Sequence, residues 1–62
     1  MRGSVCWFNL VKGYGFIRGE DERDYFVHAK AVVGRSPLRK GQEVEFEADM
    51  EKRRAARVRI LS

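Results

Sequence analysis

Apolar and polar residues alternate along most of this chain, and the alternation has a period of two. The clearest run is Glu43 to Asp49, which reads Glu, Val, Glu, Phe, Glu, Ala, Asp without a break. Side chains of a strand point alternately to opposite faces, so this run predicts a half-buried strand. Comparable short runs, rich in Val, Ile and aromatics, lie between glycines and polar turns. They predict strands at about Gly3 to Asn9, Gly13 to Arg18, Tyr25 to His28 and Ala55 to Leu61. Short strands at this spacing imply an all-β fold, a small barrel or sandwich. Leu10, Val11 and Lys12 form a tight turn, and Gly19 to Arg23 a polar one. Lys30 to Lys40 reads as a loop with one helical turn near Ala29 to Val33, ended by Pro37 and the Lys40-Gly41 pair. Asp49 to Arg59 is rich in helix formers. A strand is nevertheless expected after a turn at Met50 to Arg54, because Ala56, Val58 and Ile60 stand at period two.

Alternation also sorts the side chains. The expected core is Val5, Ile17, Tyr25, Val27, Val44, Phe46, Ala48, Ala56, Val58 and Ile60, with Arg57 and Arg59 outward. A small barrel has one interior, and these residues fill it. Tyr14 and Phe16 share the other face of the second strand, and Phe26 and His28 that of the third. They are left facing solvent. Exposed rings set side by side cost solubility, so a binding role explains them. Aromatics beside cations suit single-stranded nucleic acid, because each base offers a π-face for stacking. Lys12, just before the tyrosine, is placed to reach a phosphate. Gly13 and Gly15 permit close backbone approach and strand bending.

Size and charge narrow the classes further. The chain has 62 residues, enough for one small domain over 1–62. Its single cysteine, Cys6, excludes an internal disulfide, and no Cys/His cluster suggests zinc. Cys6 reads as an inert small residue in a reducing compartment. No apolar run approaches the ~18 residues of a membrane span, and no signal peptide is visible. A soluble, cytoplasmic monomer is the expectation. Thirteen basic and nine acidic residues give a net charge of +4, compatible with a polyanionic partner. The stripe Glu43, Glu45, Glu47, Asp49 is a solvated outer face that should point away from phosphates. His28 has no Ser, Cys or carboxylate arranged with it as a catalytic set, so stacking or hydrogen bonding to a base suits it better than general-base work. No cofactor, metal or small-molecule substrate is implied.

These residues also carry a family resemblance. Trp7-Phe8-Asn9, then Lys12-Gly13-Tyr14-Gly15-Phe16-Ile17, then Asp24-Tyr25-Phe26-Val27-His28, resembles the cold-shock domain. Gly41-Gln42-x-Val44-x-Phe46 and Ala56-x-Val58 are similar to the family's later pattern. The resemblance implies a five-stranded antiparallel β-barrel of the oligonucleotide-binding type. It implies that Trp7, Lys12, Tyr14, Phe16, Phe26 and His28 carry single-stranded RNA or DNA, in the manner of an RNA chaperone. Phe8, Asn9 and Asp24 enter the candidate set through the same motifs, and Lys30 and Arg54 as cations near its rim. Alternation alone puts Trp7 on the core side with Val5; the family places that tryptophan outside, which requires a bend or bulge in the first strand. The chain also departs from the family. Ala29 stands where an aromatic is common, Cys6 where lysine is usual, the long loop lacks a ring, and Lys52-Arg53-Arg54 replaces a Gly-Pro turn. A shorter, more electrostatic site of lower affinity is the expectation. A peptide-binding module and a nuclease are the competing classes; the second lacks any nucleophile motif or carboxylate cluster.

Overall fold

The computed structural model describes residues 1–61. Five strands form: β1 (Arg2–Asn9), β2 (Tyr14–Gly19), β3 (Asp24–His28), β4 (Glu43–Asp49) and β5 (Arg54–Ile60). Two short 3₁₀ turns, Ala29–Ala31 and Val33–Arg35, follow β3. The strands close into a barrel in the order β1-β2-β3-β5-β4, with β4 returning to β1. Closure removes the exposed edges that would otherwise invite pairing with other chains. The architecture is that of an oligonucleotide-binding barrel. The expectation of a wholly antiparallel sheet needs one correction. β3 meets β5 in parallel, at Phe26 and Arg54, where the Phe26 N–H donates to the Arg53 carbonyl at 2.8 Å. Strand parity requires it: β3 and β5 run the same way once β4 has reversed between them.

Alternation places most of the interior correctly. Val5, Ile17, Tyr25, Val27, Val44, Phe46 and Val58 are buried, and Ala48 and Ile60 pack against them. Ala56 is the exception, because it is exposed and Ala55 is buried in its place. Between Glu45↔Arg59 and Glu47↔Ala56 the register slips by one residue on β5, and Arg57 adopts φ of 50° there. This bulge lets Ala55 and Val58, three apart, both face inward. Two further core residues come from the loop. Val32 pairs with Val58 in an isolated parallel bridge, and Leu38 is 1% exposed. The loop therefore fills one end of the barrel rather than lying over it.

The turn chemistry follows from short polar side chains. Asn9 Oδ1 accepts from the Val11 and Lys12 N–H groups at 3.0 and 2.9 Å, closing the turn between β1 and β2. Asp49 Oδ1 does the same for Glu51 and Lys52, at 3.1 Å each, between β4 and β5. Both are Asx turns. Gly13 completes the first with φ of 75°, a left-handed conformation that glycine adopts without penalty. Gly15 answers a different need. A Cβ there would lie 2.7 Å from the Phe8 Cα, so β1 approaches β2 this closely only over glycine.

The buried Tyr25 ring ends in a polar handle. Its hydroxyl donates to Asp21 Oδ2 at 2.5 Å, and Met50 Sδ lies 3.0 Å from the same oxygen. The Tyr25 hydroxyl holds the Asp21 carboxyl below its ordinary 3.8, against the opposing pull of burial. The same bond, with burial, holds the Tyr25 phenol above 10.0. A carboxyl lowered by folding contributes stability above its unfolded pKa and loses it as pH falls through the folded value. Wild-type stability should therefore decline below about pH 4 more steeply than that of Tyr25→Phe, which lacks the bond. Denaturant titrations between pH 2.5 and 7 measure the two slopes. Parallel acid limbs would mean that the bond is too loose in solution to perturb Asp21.

Candidate nucleic-acid interface

The aromatic face is built from β1, β2 and β3. On β2, Tyr14 and Phe16 share a face; on β3, Phe26 and His28 do. Register brings Phe16 opposite Phe26 and Tyr14 opposite His28. Trp7 joins them through a bulge. Val5 pairs with Ile17, but Trp7 pairs with Phe16, so Cys6 is an extra residue on β1. The extra residue flips the phase, turning Val5 inward and Trp7 outward. This is the bend that alternation alone does not predict. The same flip carries Phe8 away from the rings, and it packs against the core.

Four rings make a closed circuit. Trp7 meets Tyr14 and Phe16, each with centroids 5.9 Å apart. Tyr14 stacks on Phe26 at 5.8 Å and 29°, and Phe16 meets Phe26 edge-on at 5.9 Å. These separations lie in the favourable range for aromatic pairs. Each ring covers part of its neighbours, which limits the cost of exposure. Tyr14, Phe16 and Phe26 are half-buried, whereas Trp7 remains 43% exposed and His28 exposed.

Charge is arranged around this circuit. Lys12 is exposed on the Asn9-anchored turn, two residues before Tyr14, and Lys30 and Arg54 line a cleft with Phe26 and His28. No ion pair occupies these three cations among the described residues. At the other end, Arg18 Nε donates to Asp24 Oδ1 at 2.6 Å across β2 and β3. That hydrogen bond, then the charge itself, holds the Arg18 guanidinium further above its ordinary value. Asp24 thus meets the face already partnered, and Asn9 is spent on its turn. The acidic strand β4 lies between β1 and β5, on the far side of the barrel from β2 and β3. Its carboxylates are kept away from any phosphate on the ring face. Among the described residues, no group of His, Cys, Asp and Glu could hold a metal ion, and no helix is long and apolar enough to cross a membrane.

One cleft opens at the edge of the face. Phe26, His28, Lys30, Ala31, Arg54 and Ala55 line an open depression of about 370 Å³ between the end of β3, the first 3₁₀ turn and the start of β5. Ala31 and Ala55 had no signal in the sequence, since a methyl group is informative only by the room it leaves. Neighbouring Ala29 is half-buried, its N–H donating to the Gly13 carbonyl at 2.8 Å. A Cβ on Gly13 would sit 3.6 Å from that of Ala29, so the two positions lie at contact distance. Ala29 directly follows His28 at the end of the ring face, and Ala29→Phe should tighten oligonucleotide binding by about 1 kcal/mol, part of one stacking contact less the entropy of fixing the ring. Melting temperature should hold. The alternative is that the loop after Val32 lies over Ala29. A lowered melting temperature with unchanged affinity would mean that the site overpacks.

A small closed barrel with an outward circuit of aromatic rings, flanked by unpaired cations, defines a nucleic-acid-binding module. The comparisons give the family. Residues 1–61 match the 'Cold-shock' DNA-binding domain. The chain is 51% identical over 49 residues to Cold shock protein 1 of Lactiplantibacillus plantarum, covering 76% of this chain and 74% of that protein. It is 51% identical over 49 residues to the Cold shock-like protein CspC of Bacillus cereus, covering 76% and 75%. A cold shock-like protein of Thermotoga maritima is 45% identical over 65 aligned positions, covering 98% of each. This chain belongs to the cold-shock domain family, a family of nucleic-acid-binding domains.

Proposed function

We propose that residues 1–62 act as one module that binds single-stranded RNA or DNA and serves as an RNA chaperone without catalysis. The observation that carries this reading is the four-ring circuit of Trp7, Tyr14, Phe16 and Phe26 on a surface with unpaired cations. Bases stack on these rings and on His28. Lys12 and Lys30 meet phosphates, Asn9 and Asp24 hold the turn and strand that position the face, and Phe8 supports it from the core side. Trapping unpaired strands draws weak secondary structure open by mass action, so neither a cofactor nor ATP is required. The module works as a monomer in the cytoplasm, where a free thiol is ordinary.

Stacking demands an unstacked base, and a duplex supplies one only after it opens. Trp7 fluorescence should be quenched by single strands at concentrations where a blunt duplex of the same sequence has little effect. With roughly three or four phosphates contacted, log K against log salt should have a slope of about −2 to −3, at about −0.7 per phosphate. Equal affinity for the duplex would remove stacking as the mode of binding. A slope near zero would point to a peptide ligand instead, and one steeper than about −5 to charge rather than stacking.

A further inference from the structure

The cleft beside Phe26 has a one-sided chemistry. Phe26, Ala31 and Ala55 line it on its apolar side, with the outward Phe26 ring the aromatic surface there, and its polar rim is His28, Lys30 and Arg54. Lysine and arginine side chains only donate hydrogen bonds. Histidine ordinarily offers one donor and one acceptor, but here the acceptor is taken. His28 Nδ1 accepts the Lys30 backbone N–H at 3.1 Å, which leaves Nε2 carrying the proton of the neutral ring. No carboxylate lines the cleft, and neither Lys30 nor Arg54 is engaged in an ion pair among the described residues. The side chains of the rim therefore present donors alone.

Such a rim discriminates between bases. Guanine carries two adjacent acceptors, N7 and O6, on one edge. Adenine sets an amino donor beside N7, cytosine presents an amino donor at N4, and thymine a single carbonyl beside a methyl group. Between the two purines, only guanine meets a donor pair on the N7 edge without leaving a donor facing a donor. The arginine fork matches N7 and O6 bidentately. A phosphate would also satisfy the rim. It would, however, lie against the Phe26 ring, which returns nothing for its lost hydration, whereas a base lays its apolar face there.

We propose that this cleft makes one position of the bound strand guanine-selective, with Arg54 reading N7 and O6 while the base stacks on Phe26. This rests on the single-strand reading above and adds a base preference to it.

The test is a positional scan of heptathymidylate in which one thymine at a time becomes guanine, adenine or 7-deazaguanine. Affinities are read by Trp7 quenching at fixed salt. At one register guanine should bind about five- to tenfold tighter than adenine, within the range of a bidentate base contact. 7-Deazaguanine, which lacks the N7 acceptor, should lose most of that advantage. Arg54→Gln replaces two donors by a donor and an acceptor, the pattern that suits adenine. It should bring adenine level with guanine or ahead of it at that register. Equal affinities for all three bases at every register overturn the proposal, even if Arg54→Gln fails to fold, because the wild-type scan stands alone. So does an Arg54→Gln variant that weakens every oligonucleotide alike and flattens the salt slope by about 0.7, which would make Arg54 a phosphate contact. Failure of unsubstituted heptathymidylate and of every substituted strand to bind removes the single-strand reading itself, an outcome distinct from loss of base preference.

Discussion

Leu38→Ala should destabilise the protein by about 2–5 kcal/mol, the usual range for truncating a buried leucine. Leu38 is 1% exposed and among the largest fully buried side chains. It sits in a loop, where sequence reasoning gives it no role, yet it plugs the end of a barrel whose other core residues come from strands and from Val32. At roughly 0.05–0.15 kcal/mol per residue, a chain of 62 residues has on the order of 3–9 kcal/mol of total stability. The substitution therefore removes a large share of it. A domain of this size loses about 4–8 °C of melting temperature per kcal/mol, so a fall of roughly 10–20 °C or more is expected. The aromatic face contains no part of Leu38, and oligonucleotide affinity measured well below the melting point should be nearly unchanged. A melting temperature within about 3 °C of wild type would show that the loop collapses over the gap, or that Leu38 does not close the barrel in solution.

Phe26→Ala should weaken single-strand binding by about 1–3 kcal/mol while the protein stays folded. Phe26 is the ring shared by the face and the cleft. It stacks on Tyr14, meets Phe16 edge-on and lines the space beside His28. Its removal costs one stacking platform and loosens two neighbours. Some stability is lost as well, because each aromatic pair contributes about 0.5–1.5 kcal/mol beyond area burial. Contact with Phe16 makes the two positions non-additive. Phe16→Ala alone should cost a similar amount of binding, and the double variant less than the sum of the two. Affinity by Trp7 quenching and stability by denaturant titration must be read on the same variants. If Phe26→Ala unfolds the chain and correction for the unfolded fraction leaves no deficit in binding, the ring is a core residue and the face has been assigned the wrong way round.

The candidate site was legible because its strongest signal is local. Tyr14 and Phe16, and likewise Phe26 and His28, are two apart, and a strand puts such pairs on one face whatever surrounds it. The interior was already supplied by Val5, Ile17, Tyr25, Val27, Val44, Phe46 and Val58, so the rings were surplus before any fold was drawn. Tyr25 illustrates the converse. It is aromatic like its neighbour Phe26, but the opposite parity sends it into the core, where Asp21 satisfies its hydroxyl.

Parity fails wherever a residue is added to one strand and not to its partner. Cys6 and the bulge at Arg57 are such additions, and nothing in the residues Val5-Cys6-Trp7 or Ala55-Ala56-Arg57 marks them. Which strand bulges depends on how β1 must bend to pair with both β2 and β4, and β5 with both β4 and β3. Those are long-range demands of closure. They decided that Trp7 joins the rings, that Phe8 leaves them, and that Ala55 replaces Ala56 inside. The burial of Leu38 and the cleft between β3 and β5 arise in the same way, from elements brought together only when the barrel closes. Local alternation, a property of the chain two residues at a time, determined the strands, most of the core and the aromatic face. The phase of each bulge, the parallel seam and the donor-lined cleft were decided by partners distant in sequence, because only they set where an extra residue can be absorbed.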